Sequence, residues 1–133
     1  MVVDSSALLA ILLAEPEAES FARAIASDPR RLVGAVSALE AAIVIRSRKG
    51  AAGARDLDLL IHSAGLSVVS LDEEQVRIAR TAYERYGRGR HPAALSLGDC
   101  ASYALARTSG ERLLCKGDDF PRTDVPLWSA EEP

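Results

Sequence analysis

Five carboxylates carry most of the chemistry this chain could do. Asp4 follows the apolar run Met1-Val2-Val3, Glu40 follows Ser37-Ala38-Leu39, Asp99 follows Ser96-Leu97-Gly98, and Asp118 and Asp119 come just after Leu113-Leu114-Cys115. Asp4, Glu40 and Asp99 stand in an apolar context, where a charge is expensive unless it is partnered. Each of these three also has a plain structural use. Asp4 can N-cap a helix, and Ser37-x-x-Glu40 and Ser96-x-x-Asp99 have capping-box spacing, the second less well because the box prefers Glu or Gln. Their joint placement argues for more. Asp4, Glu40 and the Asp118-Asp119 pair each follow a strand-like run, and in a parallel sheet the carboxyl ends of the strands share one edge. Asp99 opens a helix that can point at the same edge. Acids gathered there would repel and raise one another's pKa unless a cation sat among them. An oxygen-only donor set suits Mg²⁺ or Mn²⁺, ions that activate water and stabilise a leaving oxygen in phosphodiester hydrolysis. Ser6 is placed to hydrogen-bond an acid or a metal-bound water, or to serve as a helix-start hydroxyl.

The elements that would position these acids read as follows. Residues 1–4 form a first strand, and 5–14 a helix apolar almost all round and therefore buried. Pro16 opens a second helix that Asp28-Pro29 ends. Residues 31–35 form a strand, a helix runs from Ser37 to Gly50, and another covers 53–64 up to Gly65. Residues 66–71 form a third strand, and Asp72 caps a helix with Val76, Ala79, Tyr83 and Tyr86 as its apolar stripe. A basic loop spans 87–96, and Ser96 opens a helix ended by Gly110. Residues 112–115 form a strand, 116–120 a turn, and 125–128 a final strand. Strands alternating with helices imply a mostly parallel sheet covered on both faces.

The 133 residues suit one domain, residues 1–133, with a substantial core. At a net charge of −3 no global positive field attracts nucleic acid, so an RNA ligand would need a local basic rim or bound cations. Arg88, Arg90 and His91 form such a rim or else a solvated loop, while Arg46, Arg48 and Lys49 complement a helix C-terminus. Cys100 and Cys115 lack zinc spacing and read as small buried hydrophobes in a reduced, cytoplasmic setting. The opening strand leaves no room for a signal peptide, and no apolar run reaches membrane-spanning length. His62 reads as a partly buried helix residue, and Tyr83 and Tyr86 as core. Serine-elbow and P-loop patterns are missing from the sequence.

Taken in order, several pieces resemble a known family. Val2-Val3-Asp4-Ser5-Ser6-Ala7-Leu8, Ser37-Ala38-Leu39-Glu40, Leu97-Gly98-Asp99-Cys100, and the run Leu113-Leu114-Cys115-Lys116-Gly117-Asp118-Asp119-Phe120 followed by Thr123-Asp124 are similar to the motifs of PIN-domain ribonucleases. Within that family the chain resembles the VapC-type toxins of bacterial toxin–antitoxin pairs, one branch of which shares Tyr86-Gly87-Arg88-Gly89-Arg90-His91. The resemblance implies a three-layer α/β/α fold with a five-stranded, mostly parallel sheet, and a Mg²⁺- or Mn²⁺-dependent endoribonuclease. It assigns the metal site to Asp4, Glu40 and Asp99, with Ser6 in support. Family members often carry the fourth acid three residues before the Phe, where this chain has Gly117, so that role passes to Asp119 or Asp118, with Asp119 preferred. It also implies a homodimer, a small antitoxin that blocks the acidic pocket, and structured RNA, often tRNA, as substrate. Two alternatives compete. One is a haloacid-dehalogenase-like phosphatase with Asp4 as nucleophile. The other is a PIN-like module that binds RNA or protein without cutting.

Overall fold

The computed structural model describes residues 1–130. Four short strands, β1 (Val2–Val3), β2 (Leu32–Gly34), β3 (Ser67–Val69) and β4 (Leu113–Leu114), form one parallel sheet in the order β3-β2-β1-β4. Alternation along the strands divides the core in two. Val3, Val33 and Leu114 pack with helices α1 (Ser5–Leu12), α2 (Ala18–Ser27) and α3 (Ala35–Ser63). Val2 and Leu113 pack with α4 (Glu73–Tyr86) and α5 (Leu97–Ser109) on the other face. The result is the three-layer α/β/α arrangement expected of alternating strands and helices.

The expected fifth strand is reduced to a single bridge between Leu127 and Leu113. Leu113 N donates to Pro126 O and Trp128 N donates to Leu113 O, both at 3.0 Å. Pro126 has no N–H to extend the pairing, and β4 is only two residues long. The sheet therefore has four strands. Elsewhere the breaks fall where glycine places them. The long α3 is two helices joined at Gly50, whose φ of 61° and ψ of −150° lie outside the helical region and in space that favours glycine.

Three local expectations change. α3 begins at Ala35, with Gly34 in the N-cap position and no side-chain cap. Ser37 therefore lies inside the first turn, and the box with Glu40 does not form. In α4 the buried residues are Gln75, Ala82 and Tyr86, while Val76 and Tyr83 are exposed. The inward stripe is rotated by about one residue from the one the apolar side chains suggest, roughly 100° on a helix. Gln75 tolerates burial because its Nε2 donates to Ser70 O at 2.9 Å. His62, expected to be partly buried, is exposed.

β1 lies at the centre of the sheet. The chain moves from it to β2 and β3 on one side and returns to β4 on the other. The order thus reverses beside β1, and the crevice outside the carboxyl ends of β1 and β4 is where open parallel sheets bind ligands. Asp4 follows β1 directly, and the segment leading to Asp119 follows β4.

Candidate active site

Asp4 is the buried centre of this edge, 3% exposed. Its carboxylate caps α1, with Oδ2 accepting from Ser6 N at 3.1 Å and from Ser6 Oγ at 2.7 Å. Ser6 Oγ in turn accepts from Lys116 N at 2.9 Å, which ties the acid to the segment after β4. Asp4 Oδ1 accepts from Ser102 Oγ at 2.5 Å, and Ser102 Oγ lies 2.8 Å from Ser37 Oγ. Capping and a site role are thus not alternatives for Asp4, since the cap fixes the carboxylate's direction.

The sequence offers Ser37 only as a helix cap and gives Ser102 no role, yet both join the Asp4 network. Both are buried at 1% exposure. The signal was a hydroxyl in the apolar run of α5, three residues after Asp99, where Cys100 to Ala106 are otherwise buried small or apolar residues apart from Tyr103. Ser102→Ala would take a donor from a buried carboxylate and leave Ser37 Oγ without this partner. Urea unfolding at neutral pH should show a loss of about 1–3 kcal/mol, the usual range for a buried polar group left unsatisfied. A loss of less than about 0.5 kcal/mol would mean that the hydroxyl pair contributes little to the native state.

Glu40 lies on α3 with Oε1 accepting from Ser5 Oγ at 3.2 Å. Asp99 makes the capping box that its spacing suggests. It accepts from Ser96 N through Oδ2 at 2.9 Å while Asp99 N donates to Ser96 Oγ at 3.2 Å. Oδ2 of Asp99 is thus the oxygen that caps.

The acids sense one another. Burial pushes the Asp4 carboxyl above its usual range against the pull of the Ser102 and Ser6 donors, and Asp99 adds repulsion. Burial also raises Glu40, followed by repulsion from Asp4 and, more weakly, from Asp99. Asp119 is raised by burial first and then by Asp99 and Asp118. The Cys115 thiol lies within this field and is pushed up to about 12, by burial and then by Asp4, Asp99 and Asp119.

The donor set is entirely carboxylate and hydroxyl oxygen, which fits a hard divalent cation. In this conformation, among the described residues, no three His, Cys, Asp or Glu side chains are grouped so that they could hold an ion. The acids are neighbours whose oxygens are partly turned to protein donors.

The basic residues separate. Arg88 and Arg90 border a groove of about 810 Å³ between α4 and α5, with Tyr83 and Leu97 among its walls. The Arg90 guanidinium stands 5.9 Å from the Tyr83 ring centre, so this tyrosine belongs to the groove and not to the core. Arg88 also acts electrostatically on Asp119, lowering its pKa against the larger effect of burial. His91 instead packs edge-on against Tyr86 at 5.1 Å, and its Nδ1 accepts from Ala93 N at 3.0 Å, within the loop's own fold. The motif acid Asp124 serves a structural pairing, accepting from Tyr103 OH at 2.6 Å and from Arg107 at 2.5 Å.

Comparison with known proteins identifies the family. The sequence matches the PIN domain family over residues 1–126. It is 54% identical to Ribonuclease VapC of Mycolicibacterium smegmatis, covering 94% of this chain and 97% of that one. It is 50% identical to Ribonuclease VapC30 of Mycobacterium tuberculosis, covering 94% and 95%. Among solved structures, the fold is similar to that of Mycobacterium tuberculosis VapC20, a sarcin-ricin loop cleaving toxin, with a TM-score of 0.74 at 20% identity over 93% of this chain and 95% of that one. A toxin–antitoxin complex from Klebsiella pneumoniae gives 0.69 at 14% identity over 90% and 88%. With four acids at the carboxyl edge of a parallel sheet and these relatives along nearly its whole length, the chain belongs to the PIN-domain family and, within it, to the VapC-type ribonuclease toxins.

Proposed function

We propose that this endoribonuclease cuts structured RNA, tRNA being the first candidate, at a Mg²⁺ or Mn²⁺ site built from Asp4, Glu40, Asp99 and Asp119. The observation that supports it best is the placing of these acids around the carboxyl ends of β1 and β4, where burial first and repulsion second raise Asp4, Glu40 and Asp119, a state that a divalent cation relieves. Asp4 and Asp99 would be the closest contacts, and Ser6 would keep Asp4 aimed at the site. Glu40 and Asp119 would complete the set, directly or through water, and orient the attacking water. Asp119 is preferred to Asp118 because burial and then Asp99 raise its carboxyl pKa, which links it to the other acids of this edge. The bound cation supplies Lewis-acid stabilisation of charge on the phosphate and on the leaving oxygen. Water oxygen bonds to phosphorus, the P–O3′ bond breaks, and the 3′-oxygen takes up a proton, leaving a 5′-phosphate. Arg88 and Arg90, with a lesser part for His91, would track the RNA backbone beside the acidic pocket, which reconciles an RNA substrate with a net acidic chain.

The natural context would be the cytoplasm, as the toxin of a pair with a small antitoxin that covers the acids, and as a homodimer. Leu39, Ile43 and Leu97 support contact with partner chains, since these large apolar side chains lie exposed on the helices that carry Glu40 and Asp99. Among the described residues no helix is long and apolar enough to cross a membrane.

The test is incubation of purified protein, freed of any co-purifying partner, with total bacterial RNA in Mg²⁺, in Mn²⁺ and in EDTA. Discrete fragments that require metal are the expected result, and their 5′ ends identify the target. Undiminished RNA binding without cleavage from folded, metal-supplied protein would favour a binding module instead.

A further inference from the structure

α5 brings more than Asp99 to the site. Gly98 and Ser102 are four residues apart and share a helix face. Ser102 holds Asp4 through its hydroxyl, and Gly98 meets Glu40. A Cβ placed on Gly98 would stand 2.2 Å from Glu40 Oε1, 2.3 Å from Oε2 and 2.4 Å from Cδ, far inside van der Waals contact. Gly98 is buried and lies in the first turn of α5, where its backbone is not in the left-handed region that would call for glycine. Helix propensity favours almost any other residue there. The glycine is therefore explained by volume, because the space a side chain would fill is taken by the Glu40 carboxylate.

We propose that Gly98 is a positioning residue, its missing side chain being what seats the Glu40 carboxylate between Ser5 and the start of α5. This inference rests on the reading of Glu40 as a carboxylate of the active site. The obstacle to a larger residue is the far end of a flexible side chain, so Gly98→Ala should turn Glu40 away and leave the fold in place.

The experiment is a cycle of G98A, E40A and the double variant, read by RNA cleavage, by Mn²⁺ affinity from calorimetry without RNA, and by thermal unfolding in EDTA. G98A should keep or raise the melting temperature and lose about 10- to 100-fold in Mn²⁺ affinity and in cleavage, the range seen when a group that orients a metal ligand is removed. In the E40A background the same change should have less than about a twofold effect, because the two residues act as one unit. Wild-type cleavage and affinity in G98A, beside their loss in E40A, would overturn the role of Gly98 and leave the function standing. An equal further loss from G98A in the E40A background would also overturn it, since the effect would not pass through Glu40. Wild-type behaviour of E40A would instead remove Glu40 from the site. If G98A unfolds while the double variant stays folded, the clash with Glu40 is confirmed; if both unfold, the crowding lies elsewhere and the inference fails.

Discussion

Asp99→Asn should reduce RNA cleavage by about a hundredfold or more while leaving the fold unchanged, because acid–base and metal-assisted steps each supply factors on the order of 10²–10⁴. The substitution separates the capping contact of Asp99 from its proposed role at the metal site. Its Oδ2 accepts from Ser96 N, and an asparagine amide oxygen can accept the same hydrogen bond, so the cap survives. What asparagine cannot supply is the negative charge that a cation or an attacking water would meet. Asp99→Ala makes a useful contrast, since it removes both and should cost about 1 kcal/mol of stability as well. Gel-resolved cleavage of a defined RNA, with circular dichroism melts of the three proteins, checks this. A fully active, normally folded D99N chain would mean that Asp99 is a cap and nothing more. An inactive D99N chain that melts many degrees early would make its inactivity a folding defect.

The second large effect should appear in stability and needs no substrate. Asp4, Glu40 and Asp119 are all harder to ionise in the folded chain than in the unfolded one. As pH rises from about 4, the ordinary carboxylate range, the unfolded chain releases these protons first. The folded state then binds more protons than the unfolded state, and its stability falls with rising pH until the folded groups have ionised too. This contribution is therefore largest in acid and lost towards neutrality, the reverse of a carboxylate held by a salt bridge. A cation that binds only the folded chain acts in the opposite sense, stabilising it by about 2.7 kcal/mol at a hundred times its Kd. For a chain of this length that corresponds to a rise of about 10 °C in Tm. Melts between pH 4.5 and 8, with EDTA and with Mg²⁺ or Mn²⁺, should show a metal-dependent shift that is large at pH 7.5 and shrinks in acid, where the site is protonated. A melting temperature at pH 7.5 that ignores both ions would sink the metal reading, whatever the RNA experiment shows.

How much of this was legible beforehand depends on how far apart in the chain the cooperating atoms lie. The order of strands and helices, the break at Gly50, the caps by Asp4 and Asp72, and the box of Ser96 with Asp99 all follow from side chains acting within a turn or two of themselves. Periodicity, caps and left-handed glycines are local rules, and the sequence states them directly. The acids were legible for a related reason: charge in an apolar context needs a partner, and strand ends in a parallel sheet share an edge.

Other features belong to tertiary structure alone. Asp4 and Ser102 are 98 positions apart, and Glu40 meets Gly98 across the junction of α3 and α5. Neither pair has any local pattern linking its members. Tyr83 moved from the expected core to a groove because the face that α4 turns inward is set by its packing on α5, not by its count of apolar side chains. The last strand shrank to a bridge because Pro126 and a two-residue β4 left little to pair with. The sequence by itself determined the elements and the acids they carry. Only the tertiary structure decided that Ser102 joins Ser6 in holding Asp4 and which empty space receives Glu40, because those depend on how helices far apart in the chain cross once the sheet has formed.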